Sequence, residues 1–152
     1  MKVKVGDIIK IELNDCYSSF ARVLEDPLVA FYDGKVKKDE DISLEKVISR
    51  PVLFKIWVMR SAFKSKNWNI LGNMDLEDYL KEEPKFFKKD LISKNLFIYY
   101  NEVETPATKI DCRGLERAGV WDQSHIEDRL RDYYKGVPNK WLESHKKLLE
   151  DS

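Results

Sequence analysis

Alternation of apolar and polar residues in the first third of the chain is typical of β-strands. Asp26-Pro27 and Asp33-Gly34 separate the first runs, and such pairs favour the tight connections between antiparallel strands. The run VLFKIWVM is apolar except for one lysine, which is typical of a central strand covered on both faces. The predicted strands are 7–13, 20–24, 28–32, 52–59, 68–71 and 94–100, with 68–71 as the shorter partner of 52–59.

Helical periodicity is clearest near the C-terminus. A helix is predicted to begin near Asp122 or Ser124 and to end at Gly136, a residue that readily adopts the left-handed conformation of a helix end. Its apolar stripe, spaced at i, i+4, i+7 and i+8, consists of Ile126, Leu130, Tyr133 and Tyr134. A last amphipathic helix is predicted at 139–149.

Two shorter helices are predicted between the strands. Ser43 can cap a turn at 44–48 and Asp75 a turn at 76–81, because both side chains accept hydrogen bonds from backbone N–H groups. Strands followed by the longest helices predict an α+β fold. We expect residues 1–152 to form a single domain, with a curved, mostly antiparallel sheet in the N-terminal two-thirds and amphipathic helices packed on it. The first strands are also compatible with a barrel-like meander.

Composition narrows the classes of function. The 27 Lys and Arg residues balance the 27 Asp and Glu residues, so the chain lacks the positive excess of most nucleic-acid-binding proteins. No apolar run reaches the roughly 18 residues that span a bilayer, and the alternating start is unlike a signal-peptide core. Cys16 and Cys112 stand alone, which favours reduced thiols and a cytoplasmic location.

The residues that carry chemistry do not form a recognisable catalytic pattern. His125 lies near several acids, but Asp122 shares its helix face whereas Glu127 does not, and zinc requires three or four converging ligands. Phosphate-binding glycine motifs and nucleophile motifs are missing from the sequence. We therefore expect no enzyme, no metal and no cofactor, with His125 at a helix start and His145 partly buried in the last helix.

Six phrases in a fixed order resemble the immunity protein 26 family: KVGDIIKIEL, FARVLEDPLVAFYD, SLEKVISRPVLFKIWVM, WNILGN, LERAGVWD and HIEDRL. The resemblance extends over about 5–141. Members of that family accompany bacterial polymorphic toxins and are taken to protect the producing cell, so the resemblance implies a protein that binds a cognate toxin domain. The matching positions are mostly residues that build a fold, namely Gly6, Asp7, Phe54, Trp57, Trp68, Gly72, Leu115, Glu116 and Trp121.

An inhibitor of this kind gains from charge opposite to that of its target. Toxins that cut nucleic acid carry basic clefts, and the stretch DLEDYLKEE at 75–83 holds five acids and one lysine. We therefore predict a toxin-binding surface made of Asp75, Glu77, Asp78, Tyr79, Glu82 and Glu83, with Asp39, Glu40 and Asp41 as auxiliaries. A solvated helix without a binding role accounts equally well for the same charges.

The second hypothesis is a small-barrel module that binds nucleic acid or a peptide. Two stretches interleave basic and aromatic residues, a pattern that can hold single strands by stacking and phosphate contacts. They comprise Phe63 and Trp68 with Arg60, Lys64 and Lys66, and Phe86 and Phe87 with Lys85, Lys88 and Lys89. Phe86 and Phe87 are equally typical of a buried anchor with basic flanks. The oligomeric state is left open.

Overall fold

Two β-sheets and four helices organise the chain over residues 2–151, the part that the computed structural model describes. The strands are β1 (Asp7–Glu12), β2 (Tyr17–Val23), β3 (Leu28–Tyr32), β4 (Val36–Lys37), β5 (Val52–Val58), β6 (Trp68–Asn73), β7 (Phe86–Lys89), β8 (Leu96–Tyr100), β9 (Val103–Ala107), β10 (Glu116–Arg117) and β11 (Val120–Trp121). The helices are α1 (Leu44–Ile48), α2 (Lys109–Cys112), α3 (Gln123–Lys135) and α4 (Lys140–Glu150). Single 3₁₀ turns occupy Arg60–Lys64 and Asp78–Leu80.

The larger sheet has the strand order β11-β5-β3-β2-β1-β6, and β4 also pairs with β2. The smaller sheet has the order β10-β7-β8-β9. Pairing is antiparallel throughout except for the two-residue strands β10 and β11, which run parallel to their neighbours. The predicted α+β fold with mostly antiparallel strands is confirmed, and neither sheet closes into a barrel.

One face of the larger sheet is covered by α3 and α4. Ile126 and Leu130 of α3 are fully buried in a cluster with inward-facing residues of β1, β2, β3 and β5. The predicted limits of this helix are confirmed, because Asp122 accepts a hydrogen bond from the Ser124 amide and Gly136 ends the helix with a φ of 70°. The largest apolar cluster therefore lies between the sheet and the C-terminal helices.

The predicted partner of β6 was wrong. β6 pairs with β1 at the edge of the sheet farthest from β5, where Trp68 lies opposite Ile11. The outer edge of β5 is taken by β11, whose Trp121 carbonyl accepts a hydrogen bond from the Met59 amide. At its own edge Trp68 enters the main cluster, and its indole N–H donates to the buried Glu127 carboxylate at 2.9 Å.

The helix predicted at 76–81 was also wrong. Only a 3₁₀ turn at Asp78–Leu80 forms there, and Glu77 rather than Asp75 precedes it. Helix formation would direct the backbone carbonyls along the helix axis. In the structure the carbonyl of Asp75, which would accept the first hydrogen bond of the predicted helix, instead accepts one from a side chain of the sheet.

The smaller sheet contains three strands that the sequence pattern did not predict, β7, β9 and the two-residue β10. β9 reads VETPA and is exposed over most of its length at the sheet's outer edge. Proline is tolerated at an edge because the amide it lacks has no strand to pair with. A polar, proline-containing edge strand has no apolar alternation, so only its predicted neighbour β8 was recognisable.

None of the helices within residues 2–151 combines the length and the apolar content that crossing a membrane requires.

We expect the Trp68→Phe variant to lose about 1–3 kcal/mol of unfolding free energy, because the buried Glu127 carboxylate loses a donor. The matched control is Trp141→Phe, since residues 2–151 provide no hydrogen-bond partner for the Trp141 indole. Urea unfolding followed by circular dichroism measures both variants. Equal losses would show that the Trp68–Glu127 hydrogen bond contributes nothing measurable.

Candidate functional site

The acidic segment 74–83 crosses the face of the larger sheet opposite α3 and α4. Leu76 and Leu80 anchor it there, because both pack on a cluster that includes Leu28 and Ala30 of β3. Neighbouring residues of β3, such as Val29 and Phe31, point to the other face and join the main cluster. The acidic side chains of the segment are therefore carried by a strip of main chain fixed on the sheet.

Arg22 of β2 holds the first half of this segment. Its side chain is 0% exposed, and its Nη2 atom donates to the carbonyls of Met74 at 2.7 Å and Asp75 at 2.8 Å. Its Nη1 atom lies 3.3 Å from the Glu77 carboxylate, and its Nε atom donates to the Gly6 carbonyl at 3.0 Å. A buried guanidinium is tolerated only with such partners, since desolvation of an unpaired charge is costly.

Tyr32 completes the surroundings of this guanidinium. Its hydroxyl accepts a hydrogen bond from Arg22 Nη1 at 3.0 Å. Burial raises the pKa of Tyr32, although the adjacent Arg22 opposes that rise. The phenol therefore stays neutral at physiological pH and serves as one more acceptor for the arginine.

Lys55 of β5 holds the second half of the segment. Its Nζ atom donates to the carbonyls of Tyr79 at 3.1 Å and Glu82 at 3.0 Å. Burial lowers the pKa of Lys55, and the nearby Glu82 carboxylate partly offsets this effect. Strand register aligns Arg22 with Ala30 and Ala30 with Lys55, so two cations flank one small residue in a row across three strands.

Five of the six principal predicted residues lie on the surface of the segment. Asp75, Asp78, Tyr79, Glu82 and Glu83 are exposed, whereas Glu77 is partly buried against Arg22. Within the segment Asp78 forms an exposed ion pair with Lys81 at 3.6 Å. Burial and the neighbouring Glu77 carboxylate raise the pKa of Tyr79, so this tyrosine presents a neutral hydroxyl.

All three residues of the auxiliary stretch 39–41 are exposed, and the stretch lies near the start of the acidic segment. Ile42 and Leu44, which follow it, pack on the same buried cluster as Met74. Lys10 of β1 fixes the stretch by donating to the carbonyls of Lys38 at 3.0 Å and Glu40 at 3.5 Å. The fold thus brings the two predicted acidic stretches to one side of the molecule. We call the residues Asp39, Glu40, Asp41, Asp75, Asp78, Tyr79, Glu82 and Glu83 the acidic surface.

The residues that carry the family resemblance lie mostly within the framework. Trp68 and Trp121 are buried, while Trp57 is half-buried and faces the smaller sheet. Gly6 adopts a φ of 93°, which an L side chain rarely adopts, and its carbonyl binds Arg22. Asp7 accepts hydrogen bonds from the Lys4 amide and from Asn73.

The remaining residues of that set pack or pair with neighbouring elements. Glu116 forms a two-point ion pair with Arg129 of α3, with N–O distances of 2.9 and 2.7 Å. The Arg129 guanidinium lies 3.5 Å from the centre of the Phe54 ring. Gly72 lies directly under Leu44, so any larger side chain there would collide with it. Leu115 packs beside the buried Phe87.

The aromatic residues of the nucleic-acid hypothesis are not available for stacking. Phe63 is 9% exposed, Trp68 3%, and Phe86 and Phe87 2% each. All four belong to buried clusters, so their rings already contact other side chains. Phe86 and Phe87 are the buried anchor that the sequence offered as the competing interpretation.

The two histidines lie apart from the acidic surface. His125 stacks on Trp141 with ring centres 3.7 Å apart, in the first turn of α3. His145 lines a groove of about 850 Å³ between α4 and residues 113–117. Burial and then the charge of Arg117 lower the pKa of His145. Among residues 2–151 no group of three or more His, Cys, Asp or Glu residues could hold a metal ion.

The residues that position the acidic surface, Arg22 and Lys55, were not identified from the sequence. A signal was present, because each is a lone charge in a strongly apolar stretch, FARVL and VLFKIWVM. A charge inside a buried strand requires a partner. The sequence pattern does not say which segment supplies that partner.

We expect the Arg22→Met variant to lose about 3–5 kcal/mol of unfolding free energy, because the carbonyls of Met74 and Asp75 lose their donor and the Glu77 carboxylate loses its ion pair. Amide hydrogen exchange at Met74 should accelerate as the first half of the segment detaches, because the Met74 amide donates to the Gly6 carbonyl that Arg22 also binds. The control is Arg60→Met, which removes an exposed ion pair with Asp26 and should leave the urea midpoint nearly unchanged. Slow exchange at Met74 in the Arg22 variant would show that other contacts hold the first half of the segment.

His145 should make the fold less stable in acid. Its pKa is lowered in the folded chain, so as the pH falls below the ordinary value of about 6.5 the unfolded chain binds a proton that the folded chain does not. We therefore expect a smaller decrease of the urea midpoint between about pH 7 and pH 5 in the His145→Phe variant than in the unmodified chain. His125→Phe, which leaves His145 in place, should retain the full decrease. The same pH dependence in both variants would rule out this contribution of His145.

The part of the chain that matches a known family contains most of the framework residues described above. The model of the immunity protein 26 family matches residues 4–98, more than half of the chain. The match includes both acidic stretches together with Arg22 and Lys55, whereas Leu115, Glu116 and Trp121 lie beyond it. No curated protein and no solved structure matches the chain. The extent of the family match shows that this chain belongs to the immunity protein 26 family, the immunity proteins of toxin systems.

Proposed function

We propose that this immunity protein neutralises a cognate toxin domain that cuts nucleic acid, and that it does so by binding the domain through the acidic surface. Membership of the family implies a non-enzymatic inhibitor role. In this proposal the protein acts in the cytoplasm of the producing cell, forms a complex with the C-terminal domain of the toxin and catalyses no reaction.

The observation that carries the proposal is the attachment of the acidic segment to the sheet through its main chain. Arg22 and Lys55 together bind the carbonyls of four residues of the segment. The exposed carboxylates of Asp75, Glu82 and Glu83 therefore project from a backbone that is already ordered. A surface ordered before association loses less conformational entropy on binding, which favours high affinity.

The charge of the surface suits a basic cleft. Nucleases that bind phosphates carry positive clefts, and opposite charge on an inhibitor accelerates the diffusional encounter. Tyr79 is 47% exposed among the carboxylates and offers an aromatic ring with a neutral hydroxyl. Tyrosine is enriched among the residues that dominate binding energy, so Tyr79 supplies contact area that slows dissociation.

Charge reversal on the acidic surface tests its role in capture. We expect Asp78→Lys with Glu82→Lys to reduce the association rate with the toxin domain encoded beside this gene by about tenfold or more, and to flatten its salt dependence. The control variant Glu143→Lys with Asp151→Lys makes the same change of net charge at exposed positions of α4 and its C-terminal cap, on the opposite face of the sheet. Stopped-flow or surface-plasmon kinetics compare the variants, and equal association rates would remove the acidic surface from consideration.

Co-expression tests the function itself. The toxin domain is expressed with and without this chain, and growth and complex formation are measured together. We expect restored growth and a complex that co-purifies. Restored growth without any complex would contradict neutralisation by direct binding.

A further inference from the structure

A cleft of about 380 Å³ lies beside the acidic surface, where the two sheets meet. The larger sheet contributes Trp57 of β5 and the turn between β2 and β3. The smaller sheet contributes Phe86 of β7, Tyr99 of β8 and the turn between β8 and β9. The cleft is therefore formed by elements of both sheets.

The floor of the cleft is aromatic. The Trp57 ring lies 4.5 Å from the Phe86 ring and 5.4 Å from the Tyr99 ring, the latter in an edge-to-face arrangement. Phe86 is buried, whereas Trp57 and Tyr99 are half-buried; all three line the cleft. Such packing holds the indole and the phenol in fixed orientations while leaving part of each ring accessible.

The charged residues of the cleft are all acidic. Glu25 and Asp26 come from one turn, Glu102 from the other, and Glu83 from the end of the acidic segment; none of the described residues that line the cleft is basic. One of the four carboxylates is already partnered, since Arg60 donates to Asp26 at 2.7 Å from outside the cleft. Three carboxylates around an aromatic floor remain to attract a cation.

The cleft is continuous with the acidic surface. Glu83 belongs to both, and Leu80 packs in the same cluster as Trp57, Phe86 and Tyr99. A partner that covers Tyr79 and Glu82 therefore lies next to the opening of the cleft. The hydrogen bonds from Lys55, two residues before Trp57 on β5, fix the relative position of the two features.

We propose that this cleft receives an arginine side chain of the protein partner. The inference rests on the proposed function for the identity of that partner, and it adds a specific anchor to an interface otherwise defined by charge. A cation over an indole or phenol face is attracted by the negative face of the ring, most strongly where water is excluded. The planar guanidinium can stack on Trp57 or Tyr99 while donating to Glu83 or Glu102, which the compact ammonium of lysine does less well.

The cleft can be tested without any partner by titrating the full chain with N-acetyl-arginine methylamide. The matched control compound is N-acetyl-citrulline methylamide, which has nearly the same shape and no charge. We expect saturable changes in the NMR signals of the Trp57 indole and of the Tyr99 and Glu102 amides, with citrulline binding about tenfold or more weakly. Equal binding of the two compounds, or changes confined to other residues, would overturn the proposal.

Matched variants locate the binding. Glu83→Gln with Glu102→Gln should weaken binding of the arginine compound by about tenfold, since both residues line the cleft and both are exposed. Glu45→Gln with Glu143→Gln, which changes the net charge equally on α1 and α4, should leave its affinity unchanged. The same affinity in both double variants would place the binding elsewhere.

The complex with the toxin domain separates this inference from the proposed function. We expect Glu83→Gln with Glu102→Gln to raise the dissociation rate by about tenfold, because an anchored side chain acts mainly on dissociation. If the dissociation rate of the toxin domain is unchanged although the unmodified chain binds the arginine compound, the partner does not use the cleft. A toxin domain that fails to bind the unmodified chain contradicts the proposed function, and the arginine titration then decides alone whether the cleft binds a guanidinium.

Discussion

The arrangement of the candidate site depends on one row of residues across three strands of the larger sheet, in which two cations flank an alanine. Arg22, Ala30 and Lys55 are adjacent through the register of β2, β3 and β5. The two long cations reach up to the carbonyls of the crossing segment, and the small alanine leaves space for Leu80 between them. Hydrogen bonds to charged donors are stronger than neutral ones, and burial strengthens them further. The row therefore determines where an otherwise irregular segment lies.

This constraint explains how a chain with no net charge presents a strongly acidic region. Part of its positive charge lies beneath the acidic segment, where Arg22 is fully buried and Lys55 is half-buried. The carboxylates of Asp75, Glu82 and Glu83 point outward from the same segment. A partner at the surface approaches the carboxylates first, while the cations below are screened by the segment itself. Because the cations lie below the segment and the carboxylates lie above it, the surface has a negative potential that the overall composition does not reveal.

Local signals in the sequence predicted the local structure well. Ser43 caps α1, Asp122 caps α3 and Gly136 ends it, because each of these preferences depends on backbone groups a few residues away. The pairing of strands that are distant in sequence has no such local signal. β6 could pair with any free edge, and its actual neighbour β1 was decided by the burial of Trp68 against α3 and by β11 on β5.

The same distinction applies to the candidate site. The acidic residues were visible as a charge run, but the helical interpretation failed. The Asp75 carbonyl accepts a hydrogen bond from Arg22, and the carbonyls of Tyr79 and Glu82 accept from Lys55, so the main chain follows the sheet surface rather than a helix. The cleft was not predicted at all, since Glu25, Glu83 and Glu102 come together only when the two sheets meet. The order of residues along the chain shows which side chains are available for such a site, but local patterns do not show which distant residues come together.

Arg22 and Lys55 donate to main-chain carbonyl oxygens, which every residue has whatever its side chain. Exposed positions of the crossing segment, such as Asp78 and Glu83, can therefore be exchanged during evolution without loss of the hydrogen bonds that fasten the strip. In the proposed function the toxin binds at these side chains, so an immunity lineage built in this way can follow a diverging toxin by altering them while its scaffold stays constant. Mutations of these side chains would then change which toxin is recognised without changing the ability of the chain to fold.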